Sequence, residues 1–162
     1  LSSNAQGFAL HSRCVRANPW KDKSVAIEQM TYISTASPGI TNADVESILL
    51  KSRHGNRESG VTGMLLFDGR RFLQQLEGAG ETLELVLARI RRDPRHRALV
   101  VLGRRVADCR MFPNWQMAYS RVTVGEQKGP TLVEQVEAMV GPASPDVAAH
   151  FMGFARLRGA AA

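Results

Sequence analysis

A glutamine set between two large apolar residues on one face of a strand is costly to bury, and this chain has one at Gln74. Strand alternation puts Phe72, Gln74 and Leu76 on one face and Leu73, Gln75 and Glu77 on the other. A buried amide left without partners costs about 1–3 kcal/mol. Gln74 therefore needs a neighbouring side chain, a backbone group or the polar edge of a ligand. Tyr32 poses the same question. It shares a strand face with Met30, so its ring packs inward while its hydroxyl seeks a partner.

Other residues carry weaker signals. Asn56 follows Gly55 at an expected helix end and suits a capping or turn role. Arg89 and Asp93 lie four apart, the spacing of a helix-surface ion pair that contributes a few tenths of a kcal/mol. Trp115 and Met117 flank Gln116 at the start of an expected strand, where such a pair is ordinarily core. Ile48 and Ile90 fall on the apolar stripes of two expected helices. Each residue taken singly has an ordinary structural explanation; the combination does not. No metal site emerges, since His11, His54, His96 and His150 lack ligand spacing. Cys14 and Cys109 are too few for a disulfide framework or a metal cage and read as reduced thiols in a cytoplasmic protein.

The elements that must position these residues follow from local signals. Residues 1–24 are polar and without periodicity, and read as a flexible arm. The segment VAIEQMTYIS from Val25 is a strand, ended by Ser37-Pro38-Gly39. Thr41 with Asp44 three positions on forms a capping-box start, and Val45, Ile48 and Leu49 follow at helical spacing. That helix is expected to stop near Gly55. VTGMLLF and RFLQQLE flank Asp68-Gly69, a hairpin signal. A second helix carries Leu83, Val86 and Ile90 on one stripe and ends near Pro94. ALVVLGRRV and WQMAYSRVTV are two further strands. TLVEQVEAMV and PDVAAHFMGFARL read as C-terminal helices.

The order β-α-β-β-α-β-β predicts an α+β, ferredoxin-like fold: an antiparallel sheet with two helices on one face. The C-terminal helices are expected on the other. The domains expected are the arm (1–24), a ligand-binding domain (25–124) and a helical cap (125–162).

Composition is that of an ordinary globular protein, with 44% hydrophobic and 22% charged residues, and 162 residues are about one domain, enough to bury a real core. No apolar run approaches the roughly 20 residues needed to span a bilayer, and the first residues do not read as a secretory signal. The net charge of +6 raises the question of nucleic acid. The arginines are scattered, and no helix-turn-helix, zinc-finger or RNA-recognition signature accompanies them. A solvated basic surface is the simpler reading.

Taken together, TYIST, GNRESGVTGMLLFDGRRFLQQLEG, ARIRRDPRH and FPNWQMAY resemble the BLUF family of blue-light sensors that use FAD. The resemblance covers roughly Ala26 to Val124. It implies a photosensory module without turnover, holding FAD non-covalently. Tyr32 is similar to the family's essential tyrosine, a donor of an electron and a proton to the excited flavin. Gln74 is similar to its switching glutamine, whose amide offers both donor and acceptor ends and whose rearrangement strengthens a bond to the flavin C4 carbonyl. Asn56, Arg89 and Asp93 match polar flavin contacts, Ile48 and Ile90 the apolar pair around the ring, and Trp115 and Met117 the signalling pair. The residue before Asn56, often polar in the family, is Gly55 here, which removes a side-chain contact to the flavin. The chain reads as a short stand-alone sensor signalling through a separate effector protein or a homo-oligomer. The alternative from another class is a small ferredoxin-like hydrolase of acylphosphatase type, but no phosphate cradle with a paired catalytic Arg and Asn precedes the first helix.

Overall fold

The computed structural model describes residues 26–114, 116–121, 132–141 and 143–159. The expected 1–24 arm and Trp115 lie outside them. Strand β1 (Ile27–Ala36) leads into helix α1 (Asn42–Ser59), and the capping box forms. The Thr41 hydroxyl accepts from the Asp44 N–H at 3.2 Å, and the Asp44 carboxylate accepts from the Thr41 N–H at 2.9 Å. The helix does not stop at Gly55. Its left-handed cap is Gly60, with φ 63°, whose N–H reaches back to Asn56 and Arg57. A glycine inside a helix costs about 0.5–1 kcal/mol relative to alanine. Burial of Val45, Ile48, Leu49 and Asn56 along α1 outweighs that cost.

Strands β2 (Thr62–Phe67) and β3 (Arg71–Ala79) form the expected hairpin. Gly69 takes a φ of 85°, and the Asp68 carboxylate accepts the N–H groups of Arg70 and Arg71 at 2.9 and 2.6 Å. Helix α2 (Gly80–Arg92) buries Leu83, Val86 and Leu87 along one stripe. Then come β4 (His96–Ala107), β5 (Ala118–Arg121), α3 (Leu132–Val140) and α4 (Pro145–Gly159).

The sheet order is β4-β1-β3-β2-β5. Its first four strands are antiparallel neighbours, the ferredoxin-like arrangement. The fifth departs from the expected all-antiparallel sheet: β5 pairs with β2 in parallel, Met64 opposite Ala118. The reason is topological. β4 and β5 occupy opposite edges, so the chain between them crosses the sheet instead of turning back as a hairpin.

Two apolar layers result. Met30, Tyr32, Leu65, Phe72 and Leu76 pack with Ile48, Leu83 and Val86 of α1 and α2. Met64, Leu66 and Leu73 pack on the other face with Val136 and Val140 of α3 and Phe151 and Phe154 of α4. The expected placement of the C-terminal helices is thus found. Among the described residues no helix is long and apolar enough to cross a membrane. One expectation fails: Cys109 is not a reduced thiol but disulfide-bonded. Cys14, the only other cysteine, lies outside the described residues. Bridging requires Cα atoms about 4.4–6.8 Å apart in space, a distance on which sequence separation is silent.

Candidate functional site

A cavity of about 170 Å³ opens between the sheet and helices α1 and α2. The sheet contributes Tyr32 and Gln74. α1 contributes Ile48, Lys51, Ser52, Gly55 and Asn56, and α2 contributes Val86, Arg89 and Ile90. Asp93, Arg95 and His96 close the wall beyond α2. Tyr32, Ile48, Asn56, Gln74, Arg89, Ile90 and Asp93, marked from sequence, are thus brought to one cavity.

The register of β1 on β3 sets Tyr32 opposite Gln74. The Tyr32 hydroxyl donates to Gln74 Oε1, and Gln74 Nε2 lies 3.2 Å from Met117 Sδ. Gln74 is 5% exposed and Tyr32 fully buried. The amide's need for partners is therefore met at both ends by side chains of the same cluster. Burial holds the Tyr32 phenol well above its ordinary range, and the negative charge of Asp93 adds to this. At neutral pH Tyr32 keeps its proton and donates it in a hydrogen bond.

Asn56 is not a cap. It is buried in the body of α1, and its Nδ2 donates to the Gln116 carbonyl at 2.6 Å. One turn earlier, Arg53 Nε donates to the Met117 carbonyl at 3.2 Å. Helix α1 thus holds the two residues entering β5, and Met117 points into the core beside Gln74.

The Arg89–Asp93 ion pair does not form. Asp93 is taken by Arg95, with Nη2–Oδ2 at 2.6 Å and Nε–Oδ1 at 2.8 Å. Those bonds hold the Asp93 carboxyl down to about 2, against the opposing effect of its partial burial. Arg89 instead lies over Gly55: a Cβ there would meet Arg89 Nη1 at 3.2 Å and nothing else within 4 Å.

Sequence reasoning missed Arg95 and His96 as wall residues. Both lie in DPRH, beside Asp93, and a charged pair directly after a helix end was the available signal. His96 Nδ1 is 2.9 Å from the Ser34 hydroxyl, and its ring centroid is 4.5 Å from that of Phe72. Burial pushes its imidazole down to about 4, so it is neutral at physiological pH.

A slot with apolar side chains from two helices and polar groups at its rim suits a flat, amphipathic ring system. The family model described as sensors of blue light using FAD, BLUF, matches residues 27–118. The chain belongs to the BLUF family. As a BLUF domain it is a photosensory, flavin-binding unit whose cofactor is FAD. Its residues fit that group. Ile48 and Ile90 offer apolar surface, Asn56, Gln74, Arg89 and Arg95 offer donors, and the missing Cβ at Gly55 leaves a cradle beside the Arg89 guanidinium.

Photoactivated adenylate cyclase subunit beta of Euglena longa is 39% identical over 67 residues, 41% of this chain and 8% of that protein. The blue light- and temperature-regulated antirepressor BluF of Escherichia coli is 38% identical over 68 residues, 42% of this chain and 17% of that protein. The chain thus spans only a small fraction of the length of these curated relatives. Among solved structures, the dark state of the BLUF protein BlrB superposes with a TM-score of 0.64 at 26% identity, covering 82% of this chain and 97% of that one. Klebsiella pneumoniae BlrP1, in its manganese and cyclic di-GMP complex, gives 0.65 at 28%, covering 82% and 33%. The family match sets aside the acylphosphatase-type alternative.

Proposed function

We propose that this BLUF domain reports blue light through Tyr32 and Gln74. The carrying observation is that one buried amide, Gln74, joins Tyr32 on one side to Met117 on the other. FAD, when bound, supplies the blue-light absorption and an excited-state electron acceptor. The protein's own part is proton and hydrogen-bond control. Tyr32 is the electron and proton donor, and its hydroxyl proton is directed along the bond to Gln74. Gln74 has donor and acceptor ends, so it can exchange partners without moving the backbone. When Nε2 leaves Met117 Sδ, the Met117 side chain is freed to repack at the entry to β5, while Asn56 and Arg53 keep the backbone there on α1. Asn56, Arg89 and Asp93 hold the cofactor's polar edges, and Ile48 and Ile90 enclose its ring, in this reading. Trp115 is included with Met117 as the signalling pair on sequence grounds alone.

Residues 25–124 would form the sensory domain and 125–162 the helical cap that passes the signal on. The receiver is a separate effector protein or a second copy of the chain. The adenylate cyclase activity named for the Euglena longa relative is an example of such an output. The reading carries the cytoplasmic location expected from the sequence. The bridged Cys109 argues the other way, and thiol trapping in intact cells decides between them. The test of the central claim is an absorption spectrum of the purified yellow protein before and after blue light. A reversible red shift is expected; a flavin-loaded protein with an unchanging spectrum would sink the proposal.

A further inference from the structure

The chain between β4 and β5 leaves one edge of the sheet and enters the other. On the way it passes the α3/α4 face, where Met111 and Phe112 join the second apolar cluster. It ends on the α1/α2 face, where Met117 meets Gln74. One residue of the central strand β3 grips it in mid-crossing. Glu77 lies three residues after Gln74 on the opposite face of the strand, and it is 0% exposed. Its two oxygens are divided between two backbone donors: Oε1 accepts from Met111 N–H at 2.8 Å and Oε2 from Phe112 N–H at 2.9 Å. Gln29 Nε2 donates to Oε1 as well, at 2.9 Å, and to the Cys109 carbonyl at 3.2 Å. Arg110 completes the grip, bonding the Glu77 carbonyl at 2.7 Å and Thr62 Oγ1 at 2.9 Å. Met111 in turn accepts the Ser144 N–H at its sulfur, 3.3 Å away, at the turn between α3 and α4.

We propose that Glu77 is a positioning residue for the light response, the fixed anchor that lets a change at Met117 reach α3 and α4 through Met111 and Phe112. The inference rests on the reading that light acts at Gln74. The physical argument concerns slack. A change at one end of a segment is lost in slack unless the middle keeps one geometry; successive amides donating two charge-assisted bonds to a buried carboxylate keep it, so that a change at Met117 is passed on as side-chain repacking of Met111 and Phe112. The same strand thus carries the switch on one face and the anchor on the other. Glu77 does not line the cavity, so removing the anchor should leave the photochemistry in place.

The experiment is hydrogen exchange of the FAD-loaded protein, dark and illuminated, for wild type and Glu77→Gln, with the absorption shift recorded on each sample. In Glu77→Gln one of the two N–H groups faces an amide donor instead of an oxygen. The dark exchange of the Met111 and Phe112 amides is expected to rise at least tenfold. The flavin red shift should survive, while the light-minus-dark difference over residues 132–159 falls severalfold. A loss of stability alone would lower protection in both states and leave that difference intact, which would overturn the proposal. In wild type, the Met111 and Phe112 amides should stay protected in both states, and deprotection there on illumination also overturns it, even if the variant does not fold. A wild type without any red shift refutes the light reading itself. A red shift without a change over 132–159 refutes the anchor only.

Discussion

Tyr32 and Gln74 are direct cross-strand partners on β1 and β3, joined by a hydrogen bond from the phenol to Oε1. Both strands have neighbours on either side, so no loop motion separates the two residues. Any rearrangement there must occur in the side chains. Tyr32 has a single route to Gln74, whereas Gln74 has a second partner in Met117. In the proposed switch the glutamine, not the tyrosine, is therefore the element able to exchange partners.

Gln74→Leu is expected to retain flavin and lose the reversible red shift, because leucine fills the volume and offers neither donor nor acceptor. Tyr32→Phe should also abolish the normal photocycle while the protein stays folded. It leaves Gln74 Oε1 without its donor, a cost of about 1–3 kcal/mol. Spectra before and after blue light, alongside thermal melts, check both. An unaltered photocycle in Gln74→Leu would refute the switching role.

Asn56→Ala removes the tie from α1 to the Gln116 carbonyl. The loss of that bond from a buried side chain is expected to destabilise the protein by about 1–3 kcal/mol and to speed amide exchange at 116 and 117. Arg53→Met should do less, since its bond to the Met117 carbonyl is longer, at 3.2 Å against 2.6 Å. Denaturant unfolding of the two variants against wild type measures the difference.

Acid should loosen the cavity wall in a window set by His96. Its folded value is about 4, below the ordinary 6.5, because burial disfavours the charged ring. The unfolded chain therefore binds a proton between pH 6.5 and 4 that the folded chain refuses. Stability is full above about 6.5 and falls as pH drops toward 4, by up to roughly 3 kcal/mol. Asp93 acts in a separate window: its lowered carboxyl adds stability above about 3.8 that is lost toward about 2. His96→Gln should flatten the unfolding free energy between pH 6.5 and 4 only. A slope there equal to that of wild type would exclude His96 as its source.

Much of this was legible from local chemistry. Thr41 and Asp44 announced the start of α1, Asp68-Gly69 the hairpin, and the apolar stripe of α2 its buried side. All seven cofactor-site residues marked from sequence line one cavity, although composition and periodicity alone left each with an ordinary explanation. What local signals missed depended on tertiary contacts. Gly55 reads as a helix end because glycine is permissive, yet burial on the α1 face carries the helix four residues further, to Ser59. Arg89 and Asp93 have ideal spacing for a pair, yet Arg95 reaches the carboxylate from beyond the helix end, where it bonds both oxygens. The parallel pairing of β5 is fixed by where a crossing chain lands, which strand alternation does not encode.

Gly55→Ala separates the two properties of that position. In the middle of α1 the added methyl should favour the helix by about 0.5–1 kcal/mol, raising the melting temperature of the flavin-free protein by a few degrees. The same methyl would stand 3.2 Å from Arg89 Nη1, a flexible end that can move aside, so the fold has no reason to object. If Arg89 holds the flavin from across Gly55, displacing it should weaken flavin binding while stability rises. Arg89→Met should weaken binding without the gain in stability, and adding Gly55→Ala to it should weaken binding little further. Flavin dissociation constants from fluorescence titration of the two variants and their combination check this. Fully additive losses would show that Gly55 and Arg89 act on the cofactor independently.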